Sequence, residues 1–401
     1  MSKAYIVAAK RTAVGKFLGG IAKVSAADLA TTVIKNILDE TKIDPAELDE
    51  VIVGNILMAG QKQGIARQAA VNAGIPVEVP AYGVNMICGS GMKSILNAVT
   101  SIKAGEANLI LAGGTESMSG AGFVLPASVR NGYKMGNISA LDHMVTDGLT
   151  DAFEGYHMGI TAENIADKYN ISREDQDAFA YASQQKAAAA IDAGRFKDEI
   201  VPVEVVSRRE TVIFDTDEFV NRTTNPEKLA KLRPAFKKDG TVTAGNASGI
   251  NDGASFVLVA SEEAVAKYGL TPLAEIIATG QAGVDPSIMG MGPVPAIAKA
   301  LKQANMKLTD IEVLELNEAF ASQSLGVIKQ LCQDHGVTPD WFTKNCNLNG
   351  GAIALGHPIG ASGNRITVSL IYEMKRSNKN IGMASLCIGG GMGTAIILKK
   401  V

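Results

Sequence analysis

Apolar positions in this chain follow strand and helix spacing in turn, and the same order occurs twice. The run Tyr5 to Ala8 predicts a strand, and Leu29, Val33 and Ile37 then recur at helical spacing. Asp44-Pro45 marks a capped turn, and Glu50-Val51-Ile52-Val53-Gly54-Asn55 predicts a second strand. Downstream, Ala274 to Ala278 predicts a strand and Ile297 and Leu301 a helix face, and Glu312 to Asn317, after Asp310, reads as another strand. Each stretch then reaches a strand-to-helix turn of small residues, Cys88-Gly89-Ser90-Gly91 and Gly360-Ala361-Ser362-Gly363. Each ends on an apolar strand running into a glycine pair, Leu109 to Gly114 and Ser385 to Gly390. Internal duplication of a βα-rich half is the economical reading; chance likeness of two α/β patterns is the other.

Between the halves, from about Ser119 to Gly245, the texture changes to Gly/Ser-rich loops and one charged helix, Arg173 to Ala193. Ser172, with Asp175 three residues on, marks that helix start. Arg208, Arg209, Arg222, Lys228, Lys231 and Arg233 gather here beside Asp215, Asp217 and Glu218. An insertion of this kind, covering a crevice, is where a substrate handle would bind; a solvated charged face is the plainer reading.

Composition then narrows the function. The 401 residues exceed one typical core, and 46% apolar with 20% charged residues is ordinary globular usage. A net charge of −3 leaves no basic surplus for nucleic acid or anionic lipid, so neither is expected as a partner. Four scattered cysteines (88, 332, 346, 387) lack metal-site spacing, and no metal is expected. The longest uncharged stretch, Asn380 to Leu398, holds five glycines and reads as two strands around a turn rather than a membrane span. A soluble, cytoplasmic protein is expected.

Three residues stand out as chemistry. Cys88 lies at a turn into a helix carrying Met92, Ile95, Val99 and Ile102. Backbone N–H groups and the positive helix end there favour thiolate, from a reference pKa of about 8.5; a small core cysteine is the alternative. His357, in the segment densest in glycine, is a base of the right range for such a thiol, although a lone histidine is often structural. Cys387 runs into Gly389-Gly390-Gly391, whose N–H groups could hold an oxyanion. A second thiol facing the first suggests acid–base work or disulfide exchange. Asn317, in Asn317-Glu318-Ala319-Phe320, could orient a water or polarise a carbonyl. Cys332 and Cys346 read as packing residues.

The segments CGSGMKS (88–94), NASGINDGA (246–254), LNEAFA (316–321), NGGAIALGHPIGASG (349–363) and CIGGGMGTA (387–395) together resemble the thiolase family, over Ala4 to Lys399. The resemblance implies an α/β thiolase fold, two duplicated βα halves in a five-layered αβαβα sandwich with an inserted loop domain. Its expected divisions are 1–119 plus 246–270, an insert at 120–245, and 271–401. It implies a ping-pong Claisen condensation of two acetyl-CoA to acetoacetyl-CoA and CoA, and the reverse thiolysis, through an acyl-Cys88 intermediate. His357 would activate Cys88 and Cys387 would move the α-proton. Asn317 would hold a water beside His357, and the N–H groups of Cys88 and Gly389 would form a second oxyanion hole. Coenzyme A contacts carry over to Leu149, His157, Met158, Ala244, Ser248, Met289, Ala319 and Phe320. No cofactor is implied, since CoA thioesters are substrates, and a homodimer or homotetramer is implied, with a loop at Val124 to Asn137 as the expected contact.

Two features depart from the family pattern. Asn221 stands where an arginine would meet the CoA phosphates, leaving Arg222 or Lys228 as substitutes. Extra residues run from about Leu331 to Thr343. Two other readings are distinguishable: a thiolase preferring longer 3-ketoacyl-CoA chains, and a non-catalytic CoA- or lipid-binding protein that would lack one of Cys88, His357 and Cys387.

Overall fold

A computed structural model describes residues 2–207 and 210–401. Arg208 and Arg209 of the basic cluster lie outside the described residues. The sequence halves fold into two copies of one strand arrangement. In the first, β1 (Ala4–Thr12), β2 (Glu50–Gly54), β3 (Ala81–Val84), β4 (Leu109–Ser117) and β5 (Asn251–Ser261) lie in the order β3-β2-β4-β5-β1. In the second, β6 (Ala274–Gly283), β7 (Val313–Leu316), β8 (Ile381–Ile388) and β9 (Met392–Lys400) lie in the order β7-β8-β9-β6. A lone bridge from Leu314 to Cys346 stands where β3 stands in the first half. Pairings match one for one: β2–β4 and β7–β8 are parallel, and β4–β5 and β8–β9 are antiparallel. Even the irregularities correspond, with a register shift between Ile6 and Ala8 in β1 and between Ile276 and Ala278 in β6. The duplication read from sequence is therefore present in the fold, and β1 pairs with β6 to join the halves.

Layering follows from which faces are apolar. Helix α1 (Ala26–Thr41) is capped by Ser25, whose hydroxyl accepts the Asp28 amide at 3.1 Å. It buries Leu29, Val33, Ile34 and Ile37 on one outer face of the first half. Two helices, α2 (Ser90–Ala104) and α7 (Ser362–Ser377), pack on each other between the halves, so they are buried nearly all round. Met92, Ile95 and Val99 meet Ile366, Leu370 and Met374 there. On the far side α5 (Pro293–Ala304) and α6 (Ala321–His335) cover the second half with Ile297, Leu301, Val327 and Leu331. Helix, sheet, helix, sheet, helix is the five-layered order expected. The extra residues become the end of α6 and a short helix, Pro339–Asn345, whose Phe342 is buried in that outer layer.

The inserted region contributes α3 (Met158–Tyr169) and α4 (Arg173–Asp192). Ser172 caps α4 as expected, its hydroxyl accepting the Asp175 amide at 3.0 Å. The insert is tied to β1 by a buried cluster in which Arg11 meets Glu199 at 2.7 Å and both oxygens of Asp217 at 2.8 and 2.9 Å. Among the described residues no helix is long and apolar enough to cross a membrane, and Asn380 to Leu398 folds as β8, a glycine turn and β9.

Candidate active site

Cys88 sits two residues before α2, in a bend that the chain reaches under strain. Ile87 has φ +46°, a left-handed conformation that β-branched residues rarely adopt, and its amide is held by Asn85 Oδ1 at 3.0 Å. Gly91 of the same turn lies so close to the other half that a β-carbon there would stand 2.8 Å from Gly360 O. The two small-residue turns therefore meet, as the duplication implied. Cys88, His357, Cys387 and Gly389 all line one cavity of about 440 Å³. Leu149, His157, Met158, Ala244, Ser248, Met289, Ala319 and Phe320 line it too.

Electrostatics around the three groups are dominated by burial. The Cys88 sulfur receives the N–H of Gly389 and its own N–H, yet burial pushes the thiol up to about 11, and the charge of Glu116 adds to the rise. The lowered pKa expected from the helix end is thus overturned, because desolvation outweighs two N–H donors. Cys387 is also raised by burial, with Cys88 contributing. Both are free thiols. Burial, helped by the Arg365 cation, lowers His357 to about 3, so its imidazole is neutral at ordinary pH. Ser362 fixes the tautomer: its hydroxyl donates to Pro358 O at 2.9 Å, leaving its oxygen to accept from His357 Nδ1 at 2.5 Å. Nε2 is then the free base. Ser362 lies inside a quoted motif, but its role shows only when α7 turns it back on the imidazole.

The mouth of the cavity is built by the insert and the Asn317 loop. His157 caps α3, accepting the Gly159 amide on Nδ1 at 3.0 Å, and stacks on Phe236 with centroids 4.6 Å apart. Phe236 meets Phe320 edge-on at 6.1 Å. Ser248 N donates to Ala319 O at 2.9 Å, and Ala321 N to Asn246 O at 2.8 Å, stitching the segment 244–248 to the 317–321 loop. Asn317 is 1% exposed, and among the described residues neither polar atom of its side chain has a partner. Phe17, Met118, Phe219, Phe236, Ile250 and Ile359 complete the wall and were not singled out from sequence. Phe17, Met118, Phe219 and Phe236 lie in no motif segment singled out from sequence, Ile250 and Ile359 lie in two such segments, and only folding brings the six together.

Two basic residues lie apart from this wall. Arg222 is exposed and held bidentately by Asp192 at 3.0 and 2.7 Å. Lys228 lines a neighbouring cavity of about 420 Å³, which shares Phe219 and Ala244 with the first. Its ammonium donates to Thr223 O at 2.6 Å. Cys346 is buried in the outer core of the second half and Cys332 packs against it, both remote from the reactive cavity.

Comparison with known proteins agrees with this geometry. The profile of the thiolase N-terminal domain matches residues 4–263, and that of the thiolase C-terminal domain residues 270–400. An acetyl-CoA acetyltransferase of Chromobacterium violaceum is 53% identical over 98% of this chain and 99% of its own, and that of Escherichia coli 51% identical over the whole of both. Among solved structures, the acetyl-CoA acetyltransferase of Syntrophomonas wolfei matches with TM-score 0.97 at 41% identity, covering all of both chains. Human mitochondrial 3-ketoacyl-CoA thiolase in complex with CoA matches at 0.93 and 45%, covering 100% of this chain and 98% of that one. Two family profiles laid end to end, and relatives matched over their full length, leave one conclusion: this chain belongs to the thiolase family.

Proposed function

We propose that this chain is an acetyl-CoA C-acetyltransferase, condensing two acetyl-CoA to acetoacetyl-CoA and CoA and running the reverse thiolysis. The observation that carries this reading is the meeting of two thiols and a neutral imidazole in one cavity, with the N–H groups of Cys88 and Gly389 directed at the Cys88 sulfur. His357 Nε2 takes the Cys88 proton, and the thiolate attacks the thioester carbonyl. The tetrahedral oxygen is held by those two N–H groups, each such donor being worth on the order of 10² to 10³ in rate. The bond to CoA sulfur breaks, and CoA leaves with the proton of Cys387. Cys387 is then the thiolate base that removes an α-proton from the second acetyl-CoA; its raised pKa suits so weak a carbon acid. The enolate attacks acetyl-Cys88, and the expelled sulfur recovers its proton from His357. Asn317, with unpartnered buried polar atoms, is suited to hold a water against the enolate oxygen. Thiols and imidazole supply every proton and bond, so no metal or redox cofactor is needed.

The CoA arm enters past His157, Phe236, Ser248 and Phe320, and Lys228 rather than Arg222 meets its phosphates, because Asp192 already neutralises Arg222. In this reading 120–245 is the handle-binding insert between halves 1–119 plus 246–270 and 271–401. Exposed Phe123, Leu125, Tyr133 and Met135 in the loop after β4 support a homodimer or homotetramer, and a cytoplasmic setting suits free thiols.

Incubation with acetyl-CoA followed by peptide mass spectrometry tests the reading: an acetyl group on Cys88 is expected, and none in Cys88→Ala. An unlabelled Cys88 ends it. The 45% identity to a 3-ketoacyl-CoA thiolase favours a second reading, longer substrates, which kcat/KM for acetoacetyl-CoA against a long homologue decides.

A further inference from the structure

Glu116, the next-to-last residue of β4, is a fully buried carboxyl that the reaction as described does not use. Its Oε1 accepts from Asn55 Nδ2 at 2.8 Å and from the Leu57 amide at 3.2 Å. Its Oε2 accepts from the amides of Ile56 and Gly360, both at 3.1 Å. Burial pushes this carboxyl up to about 8 against the pull of all four donors, so its role lies in the hydrogen bonds it accepts rather than in a fixed charge. Three of these donors belong to the segment after β2, in the first half. The fourth belongs to the turn three residues beyond His357, in the second. Gly360 is glycine because a β-carbon there would stand 2.7 Å from Glu116 Oε2.

We propose that Glu116 is a positioning residue for this reaction: its carboxyl clamps the His357–Gly360 turn to the Asn55–Leu57 segment and so holds the imidazole in place for Cys88. The inference rests on Cys88 and His357 acting as proposed above. Glutamine at 116 would turn an N–H-bearing nitrogen on two donors, whereas aspartate would keep both acceptor oxygens but shorten the reach by one methylene.

The test compares the parent with Glu116→Gln and Glu116→Asp in two measurements: kcat and KM for acetoacetyl-CoA thiolysis, and thermal stability. Both variants are expected to lose at least tenfold in kcat with KM changed less than threefold, a split between kcat and KM that simple loss of stability would not produce. If the glutamine variant fails to fold, Asn55→Ser removes one clamp bond with the carboxyl kept, and should lower kcat with KM changed less than threefold. Parent-like kcat in the variants that fold, with Cys88 acetylated in the parent, overturns the role of Glu116 alone. No acetyl on parent Cys88 overturns the underlying reading and this one with it.

Discussion

His357 illustrates how single residues are set by what surrounds them. Its sequence context offers a base near pH 6.5, but burial and Arg365 lower it to about 3, and Ser362 holds the proton on Nδ1. Between those two values the unfolded chain binds a proton that the fold excludes, so the native state loses stability as pH falls through that window. From pH 7 to 5 the parent should lose about 2 kcal/mol more than His357→Asn, measured by urea unfolding at both pH values. An equal loss in both would contradict a neutral buried imidazole. Cys88, Cys387 and His357 were all legible from their glycine-rich contexts. The pKa of Cys88 was not, because the sign of its shift depends on how much solvent the second half removes.

Among elements, the central helix pair and its turns matter most. Strand and helix spacing gave β1, α1, β2 and the start of α4, with ends differing from expectation by a few residues. Spacing could not foresee how closely the elements approach. Gly114 in β4 is such a point: a β-carbon would stand 2.1 Å from Gly360 O and 3.0 Å from the Gly91 α-carbon. Strand and both small-residue turns meet there backbone to backbone. Gly114→Ala should therefore cost about 1–3 kcal/mol by overpacking and lower kcat by shifting the His357 turn. Chemical denaturation and thiolysis rates check both, and an alanine variant with parent values would show that the turns can give way. Gly113 beside it leaves room instead for the Phe256 ring, so two adjacent glycines answer to different neighbours.

For the whole molecule, the decisive contacts join regions far apart in sequence. Arg11 on β1 is 1% exposed and is matched by Glu199 and Asp217 from the insert, with Phe196 beneath its guanidinium at 5.1 Å. Asp217 and Glu218 read from sequence as members of a surface cluster. Instead Asp217 is buried where the insert meets β1, and Glu218 accepts the amides of Lys16 and Gly20, both at 2.9 Å. Removing the cation strands two buried carboxylates, so Arg11→Met should cost about 3–5 kcal/mol. It should also open the insert to limited proteolysis between residues 195 and 245. A variant as stable and as protease-resistant as the parent would show that the insert is held by its apolar contacts instead.

By itself the sequence determined the duplicated βα order, the two turns of small residues and the choice of Cys88, His357 and Cys387 as candidates, because each is written in local spacing. The burial of those side chains, the tautomer of His357, the hydrogen bonds by which Glu116 joins the halves and the pairing of Arg222 with Asp192 were decided only in three dimensions. Desolvation and hydrogen-bond partnership depend on residues brought near by folding, and no short stretch of chain encodes them.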